Sequence, residues 1–260
     1  MSTSEVPPMK HIDNKIETVT DLIQYLVDDL DRPTEQWYRG QYNEDWRLEP
    51  GVYRISHYSL DKERSLLDRF HQAAALHGIR HQLDEWGWIS FAQHHSLPTR
   101  LLDWSTQPLI ALYFACADTQ IKTEQSKMDE PPNAKFFILD PRRLNKEHLN
   151  GEGAPILLRD SDDTLKSYRP KSTPYDKTRR KPIAVLAPLT FERITFQSGT
   201  FTLHPEQLNP EDDPFKGCTT ALTIPGSRKK DVLKELEILG ISETTLYRDL
   251  DRLAEHIRNH

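Results

Sequence analysis

The sequence predicts an α+β fold: a core of antiparallel or mixed strands, an N-terminal helical edge, and helices closing the C-terminus. Three observations lead there. Apolar residues recur at helical spacing at both ends of the chain, short apolar and aromatic runs bounded by glycine or proline lie between them, and a strongly apolar helical pattern follows directly on a buried-strand pattern at 100–118. No internal repeat of fixed period and no coiled-coil heptad breaks this arrangement, so 18–260 reads as a single domain behind a flexible tail, 1–17.

Each element has a local reason. Val19, Leu22, Ile23, Leu26, Val27 and Leu30 form a helical stripe, with Thr18 or Thr20 as cap and Pro33 beyond the end. Gln36 to Gly40 reads as a short aromatic strand ending at glycine, and 43–51 turns the chain before another short strand around Tyr53. A second helix spans 61–77, with Leu66, Leu67, Phe70 and Ala74 on its buried side. Trp86 to His95 reads as a third helix, stopped by Pro98, and Arg100 to Trp104 as a buried strand. Pro108 opens an apolar helix that runs to about Asp118. After a polar loop comes the strand Lys135 to Leu139, then a long connection over 149–181 that lacks periodicity. Strands return at Ile183 to Leu186, Arg193 to Gln197, Thr200 to Leu203 and Ala221 to Ile224. A helix pair, 229–257, closes the chain around Gly240.

Composition narrows the function. The longest apolar run, Pro108 to Ala117, is too short to span a bilayer, and the N-terminus has no basic region followed by an apolar stretch, so neither a membrane segment nor export is expected. Cys116 and Cys218 stand far apart and outside any C-x-x-C pair, which fits a reducing, cytoplasmic setting with neither a disulfide framework nor a thiolate metal site. A formal charge of -6 opposes sequence-blind attraction to phosphate backbones, and a mean hydropathy of -0.70 fits a globular protein with long polar loops. His77 and His81 miss the zinc-protease pattern, and no phosphate-binding loop, dinucleotide fingerprint or hydrolase elbow occurs, so no metal is expected.

The chemistry concentrates in Gln93 to Ser105, where polar groups interrupt an apolar stretch. Arg100 and Asp103, three apart on a buried strand, either tie helix to strand or meet a charged ligand. His94 is either a base or a core histidine bonded to a carbonyl.

These residues carry a resemblance. Tyr38-Arg39-Gly40-Gln41, Trp46-x-Leu48-x-Pro50, Arg54 and Glu63-x-x-Leu66-x-x-x-Phe70 are similar to the opening of the FRG domain family. Gln93-His94, Leu97 to Trp104, Pro108, Ala111 to Ala115, Arg193-x-x-x-Gln197-x-Gly199-x-Phe201 and the closing Leu246 to Leu253 helix resemble that family's later pattern. Tyr38 stands where the name-giving phenylalanine is usual. Ser96 replaces a usual glycine, so either the backbone there needs no positive φ or the serine bears strain.

The family pattern in turn resembles the ADP-ribosyltransferase fold, with its split sheet, and implies NAD as a substrate. The three stations of that fold would be Arg39-Gly40, Asp103 to Thr106 before the Pro108 helix, and Gln197 with Gly199. Breaking the nicotinamide–ribose bond develops positive charge on the sugar, so the site must hold the diphosphate and the nicotinamide and present an acceptor. The resemblance then implies that Arg39 grips the diphosphate and Gly40 admits the dinucleotide to the backbone. Trp104 or Tyr113 would wall the nicotinamide, Ser105 or Thr99 would bond a ribose hydroxyl, and Arg100 would add to the cofactor contacts. Gln197 carries no charge where such enzymes use glutamate, so Asp103, or behind it Glu192 or Glu49, supplies the carboxylate, with His94 as candidate base.

Two further segments suggest a macromolecular target. Arg169, Lys171, Lys177, Arg179, Arg180 and Lys181 form a basic arm with Tyr168 and Tyr175 interleaved, suited to a phosphate backbone and unpaired bases, although a solvated loop is the plainer reading. The closing helix pair has the lengths of a helix-turn-helix, but its charges cancel and a packing role is expected. The expectation is an NAD-dependent ADP-ribosyltransferase or NAD glycohydrolase acting on protein or nucleic acid as a toxin or anti-phage effector, with a possible neutralising partner. The alternative is a non-catalytic nucleotide or nucleic-acid binding module, including DNA binding through the closing helix pair.

Overall fold

The computed structural model describes residues 14–28, 33, 35–76, 83–118, 130–149, 151, 153–169, 181–186, 199–206 and 213–246. Among them, seven strands form one mixed sheet: β1 (Trp37–Gln41), β2 (Leu101–Ser105), β3 (Ala134–Leu139), β4 (Ile156–Leu157), β5 (Ile183–Leu186), β6 (Gly199–Leu203) and β7 (Thr219–Ile224), in the order β4-β5-β6-β2-β1-β3-β7. Every neighbouring pair is antiparallel except β4 with β5. The α+β class is therefore observed.

The sheet parts near its middle. β3 follows β1 over five paired positions and β6 follows β2 over five, yet β1 and β2 themselves pair at one, Tyr38 with Ser105. Past that rung the strands diverge, and Arg39, Gly40 and Gln41 face Asp103 and Trp104 across a gap.

Helices fill in around the sheet for local reasons. The helix α4 (Pro108–Cys116) starts on proline at its first position, where no N–H is missed, and is apolar on nearly every side. It lies so close on β1 that a Cβ on Gly40 would stand 2.0 Å from the Ala111 carbonyl oxygen. Helices α1 (Val19–Asp28) and α7 (Lys229–Ile238) pack with it, and Leu22, Leu112, Phe136, Val232 and Leu236 share one apolar core. Trp37, Leu102, Trp104, Leu139 and Phe215 make a second core. Helix α3 (Glu85–His94), capped by the Asp84 carboxylate on the Gly87 N–H at 2.8 Å, buries Trp86 and Ile89 in a third core with Leu101, Phe201 and Leu203.

Helix α2 (Leu60–Leu76) is fastened from inside. Glu63 meets Arg100 Nε at 2.7 Å, with both side chains 1% exposed. Its apolar stripe is weaker than expected, since only Ala74 of the four predicted inward residues is buried and Leu66, Leu67 and Phe70 are half-buried.

Several expectations need correction. The stretch around Tyr53 is a 3-10 turn, Gly51–Arg54, following Pro50, because it makes no ladder with any strand. Ile16 is fully buried and its N–H donates to the Thr223 carbonyl at 2.9 Å, so the end of the presumed tail is part of the fold. The described residues of the connection 149–181 supply β4 and the short α6 (Asp163–Lys166), and Leu158, Leu165 and Tyr168 enter the third core. Helix α5 (Pro141–His148) was not anticipated, although Asp140 caps it onto the Arg143 N–H and Pro141 opens it. The predicted strand Arg193 to Gln197 lies outside the described residues, as do His77, His81 and the closing helix beyond α8 (Glu243–Leu246). Cys116 and Cys218 are buried free thiols. Among the described residues no helix is long and apolar enough to cross a membrane.

Candidate active site in the parted sheet

Where β1 and β2 diverge, a cleft of about 500 Å³ opens. That volume lies within the usual range for small-molecule sites. One wall is β1 with the following segment, bringing Arg39, Gln41, Tyr42, Trp46, Arg47, Glu49 and Arg54. The other is β2, β6 and α3, bringing Asp103, Phe201, Ser90, Gln93 and His94, while α4 contributes Ile110, Ala111 and Phe114.

Arg39 and Asp103 meet here. The Arg39 Nη1 donates to the Asp103 backbone carbonyl at 2.6 Å, supplying one of the hydrogen bonds that the parted ladder no longer makes. Burial pushes the guanidinium below its ordinary value; Asp103 opposes that push and Arg54 adds to it. Even lowered, an arginine stays charged at neutral pH. Arg39, Arg47 and Arg54 against Glu49 and Asp103 leave the cleft lining cationic, suited to a ligand that carries anionic groups.

The Asp103 carboxylate is held in turn. Its Oδ2 accepts from Gln93 Nε2 at 3.0 Å, and Gln93 Oε1 accepts from the Thr99 hydroxyl at 2.7 Å. His94 lines the cleft half-buried, with its ring 5.0 Å from that of His95. The turn between Gln93 and Pro98 contains Ser96 at φ +64°, so the strained alternative holds: a serine sits in the left-handed region that glycine usually occupies. Ser105 lines the cleft where the strands still pair, and its hydroxyl accepts from the Gln107 N–H at 3.0 Å ahead of α4. Among the described residues no group of His, Cys, Asp and Glu gathers as a metal-ligand set.

Of five sequence-predicted contacts, three do not reach the cleft and two border it while serving the fold. Arg100 is 1% exposed; its guanidinium serves Glu63 and the backbone carbonyls of His204 and Tyr168, so it ties α2 to β2 rather than reaching the cleft. Thr99 is fully buried, with its hydroxyl committed to Gln93. Tyr113 belongs to the core under α4, and Phe114 takes the position at the cleft. Gly40 does line the cleft, but its missing side chain is required by α4. Trp104 borders the cleft while its indole N–H donates to Thr202 at 3.1 Å and its ring lies 6.0 Å from Phe215 in the second core.

The basic arm divides likewise. Arg169 is paired with Asp160 at 3.2 Å, Tyr168 is buried rather than available for stacking, and Lys181 is exposed. Lys171, Lys177, Arg179 and Arg180 lie outside the described residues, as do Tyr175, Glu192 and Gln197.

Residues that the sequence did not assign complete the wall. Tyr42 is backed by Lys229, whose ammonium lies 3.3 Å from the ring centroid and donates to the Tyr42 carbonyl at 2.5 Å. Burial lowers the Lys229 amine to about 8. Trp46 and Arg54 were visible as motif positions, but nothing local in their spacing tells that the chain doubles back onto β2.

Residues 34–124 match the family model of the FRG domain, which covers both strands that form the cleft and the helices α2, α3 and α4. The chain matches no curated protein and no solved structure.

Proposed function

We propose that the cleft binds NAD and breaks its nicotinamide–ribose bond, transferring ADP-ribose to a macromolecular target or to water; the stretch that matches the FRG family model, 34–124, spans the parted strands. The observation that supports this reading is the convergence of Arg39 and Asp103 on one cleft. The arginines suit a diphosphate, and the aromatic side chains of Tyr42, Trp46 and Phe114 suit a flat ring.

In the reaction the bond between the nicotinamide nitrogen and ribose C1′ breaks, and its electron pair leaves with the neutral nicotinamide. Positive charge then develops on the ribose, and the Asp103 carboxylate is the stabilising group nearest to hand. A nucleophile, either water or a hydroxyl, amine or amide of the target, forms the new bond to C1′ and gives up its proton to solvent or to His94. The reading extends to a toxin or anti-phage effector within the cytoplasm, with a protein or nucleic acid target and a neutralising partner.

A second reading, non-catalytic nucleotide binding, is favoured by one observation. Both carboxylates that line the cleft among the described residues already have polar neighbours: Asp103 is bonded to Gln93, and Glu49 stands 4.0 Å from Arg47. Labelled NAD separates the two. Release of nicotinamide, or entry of label into extract protein or nucleic acid, that is lost in both Arg54→Ala and Asp103→Asn supports the enzyme. NAD bound without turnover supports the binder, and no NAD binding at all refutes the enzyme.

A further inference from the structure

Thr99, Gln93 and Asp103 form a hydrogen-bond chain whose direction the carboxylate sets, since it only accepts. The Leu101 N–H donates to the Thr99 hydroxyl oxygen at 3.1 Å, so the hydroxyl proton is free to point outward, and it meets Gln93 Oε1 at 2.7 Å. With its carbonyl end occupied as an acceptor, Gln93 presents its NH2 to Asp103 Oδ2 at 3.0 Å. Reversing the amide would set its oxygen against a carboxylate oxygen, two acceptors with no proton to share. Each link therefore fixes the next.

We propose that Thr99 and Gln93 are positioning residues that hold Asp103 as an oriented hydrogen-bond acceptor facing the cleft. Asp103 then receives donors or positive charge from a ligand and does not serve as a proton donor. The chemical class that fits is a ligand bringing hydroxyl donors or developing cationic charge to Asp103 while its anionic groups meet Arg39 and Arg54. A ribosyl diphosphate has that polarity. The ligand assignment rests on the NAD reading above, whereas the chain of bonds does not. It explains why a fully buried threonine, which never reaches the cleft, sits between α3 and β2. An acceptor aligned before the substrate arrives needs no reorganisation as charge develops, which is where such groups contribute most to rate.

The test uses the full chain and two readouts. In the ligand-free protein, the Gln93 side-chain amide is followed by 1H–15N NMR, where an NH2 proton bonded to a carboxylate is displaced downfield of its position in a solvated glutamine amide. Thr99→Val is expected to move that proton to the solvated position and Thr99→Ser to restore it. In the second readout, nicotinamide release from NAD, Thr99→Val and Gln93→Leu are expected to lower kcat about tenfold with KM within about twofold, and Thr99→Ser to recover the rate. Gln93 is half-buried, so its variant tests the chain even if Thr99→Val fails to fold. Unchanged amide shifts in Thr99→Val overturn the proposal, as does a loss expressed in KM alone. If the wild-type protein neither binds nor cleaves NAD, the NAD reading falls and the amide signals alone decide the relay.

Discussion

The Glu63–Arg100 pair gives the sharpest quantitative test, because the sequence allowed Arg100 a ligand role and the fold gives it a structural one. Consider Glu63→Gln. The two side chains are each 1% exposed and 2.7 Å apart, so the substitution leaves a guanidinium buried with no opposing charge. Breaking such a pair from one side costs about 3–5 kcal/mol, against a typical total stability of about 5–15 kcal/mol. The Tyr58 hydroxyl, 3.2 Å from Glu63 Oε2, also loses its charged acceptor. At roughly 2–4 °C per kcal/mol for a chain of this size, the melting temperature falls by roughly 6–20 °C. Glu63→Leu with Arg100→Met removes both charges and recovers part of the loss. It stays below wild type by about 1–3 kcal/mol, because the His204 and Tyr168 carbonyls lose their buried donor. Urea unfolding followed by the fluorescence of buried Trp86 and Trp104 measures each value. A Glu63→Gln cost under about 1 kcal/mol refutes the structural role. So does loss of NAD binding by the double variant at a temperature where it remains folded, since Arg100 would then be acting in the cleft.

Three further outcomes follow from other sites. Gly40→Ala puts a methyl 2.0 Å from the Ala111 carbonyl oxygen, so it destabilises by at least about 3 kcal/mol in urea unfolding, at the top of the usual overpacking range. Ser96→Gly removes a left-handed strain at φ +64°, and thermal unfolding should show a gain of about 0.5–1 kcal/mol after the extra unfolded-state entropy of glycine is deducted. His204 is fully buried beside Arg39 and Arg100, and burial first, then those two cations, hold its pKa down at about 3. The folded state therefore refuses a proton that the unfolded chain takes up below about pH 6.5. The His204 contribution is intact above that pH and falls by about 1.4 kcal/mol per unit as pH drops from there towards 3. Unfolding in buffers from pH 7 to 4 should show this slope in the wild type and a shallower one in His204→Gln.

The sequence revealed elements wherever periodicity and punctuation agreed. The α4 helix has proline at its start and apolar residues throughout, and α3 has an aspartate cap, so both were readable within a residue or two. The 3-10 turn at Gly51–Arg54 was mistaken for a strand because the adjacent Val52 and Tyr53 are residue types that strands favour, while only tertiary contacts reveal that no partner strand lies beside them. Helix α5 is polar apart from Leu144, and its Asp140-Pro141 start signal carried the information that its weak apolar stripe did not. At the cleft, Asp103 was legible because charges in apolar strands demand a reason, and Arg39 through the motif it belongs to. Arg100 drew suspicion by the same rule and was satisfied instead by Glu63, thirty-seven residues earlier in the chain. Pairing at such separation leaves no local trace. The mis-assignment of Tyr113 in place of Phe114 is a one-residue rotation on a helix that is apolar all round, where periodicity cannot tell which face meets the cleft.

The parted sheet also determines how substitutions at the site must be interpreted. Strands that separate after one rung leave backbone groups without ladder partners, and a buried unpaired carbonyl costs about 1–3 kcal/mol. Arg39 answers one of these with its bond to Asp103. It therefore props the gap open from within while presenting charge to it, and Arg39→Ala removes both functions together. A loss of activity in that variant alone would be equally consistent with a closed cleft. Arg54, itself exposed, lines the same cleft from the 3-10 turn, outside the ladder, so its removal alters the charge facing a ligand while leaving the β1–β2 geometry in place. If Arg54→Ala weakens NAD binding and the weakening grows smaller as salt is raised, the cleft recognises charge. If Arg39→Ala alone acts, the arginine of β1 is a strut, and recognition must be sought on the α3 wall.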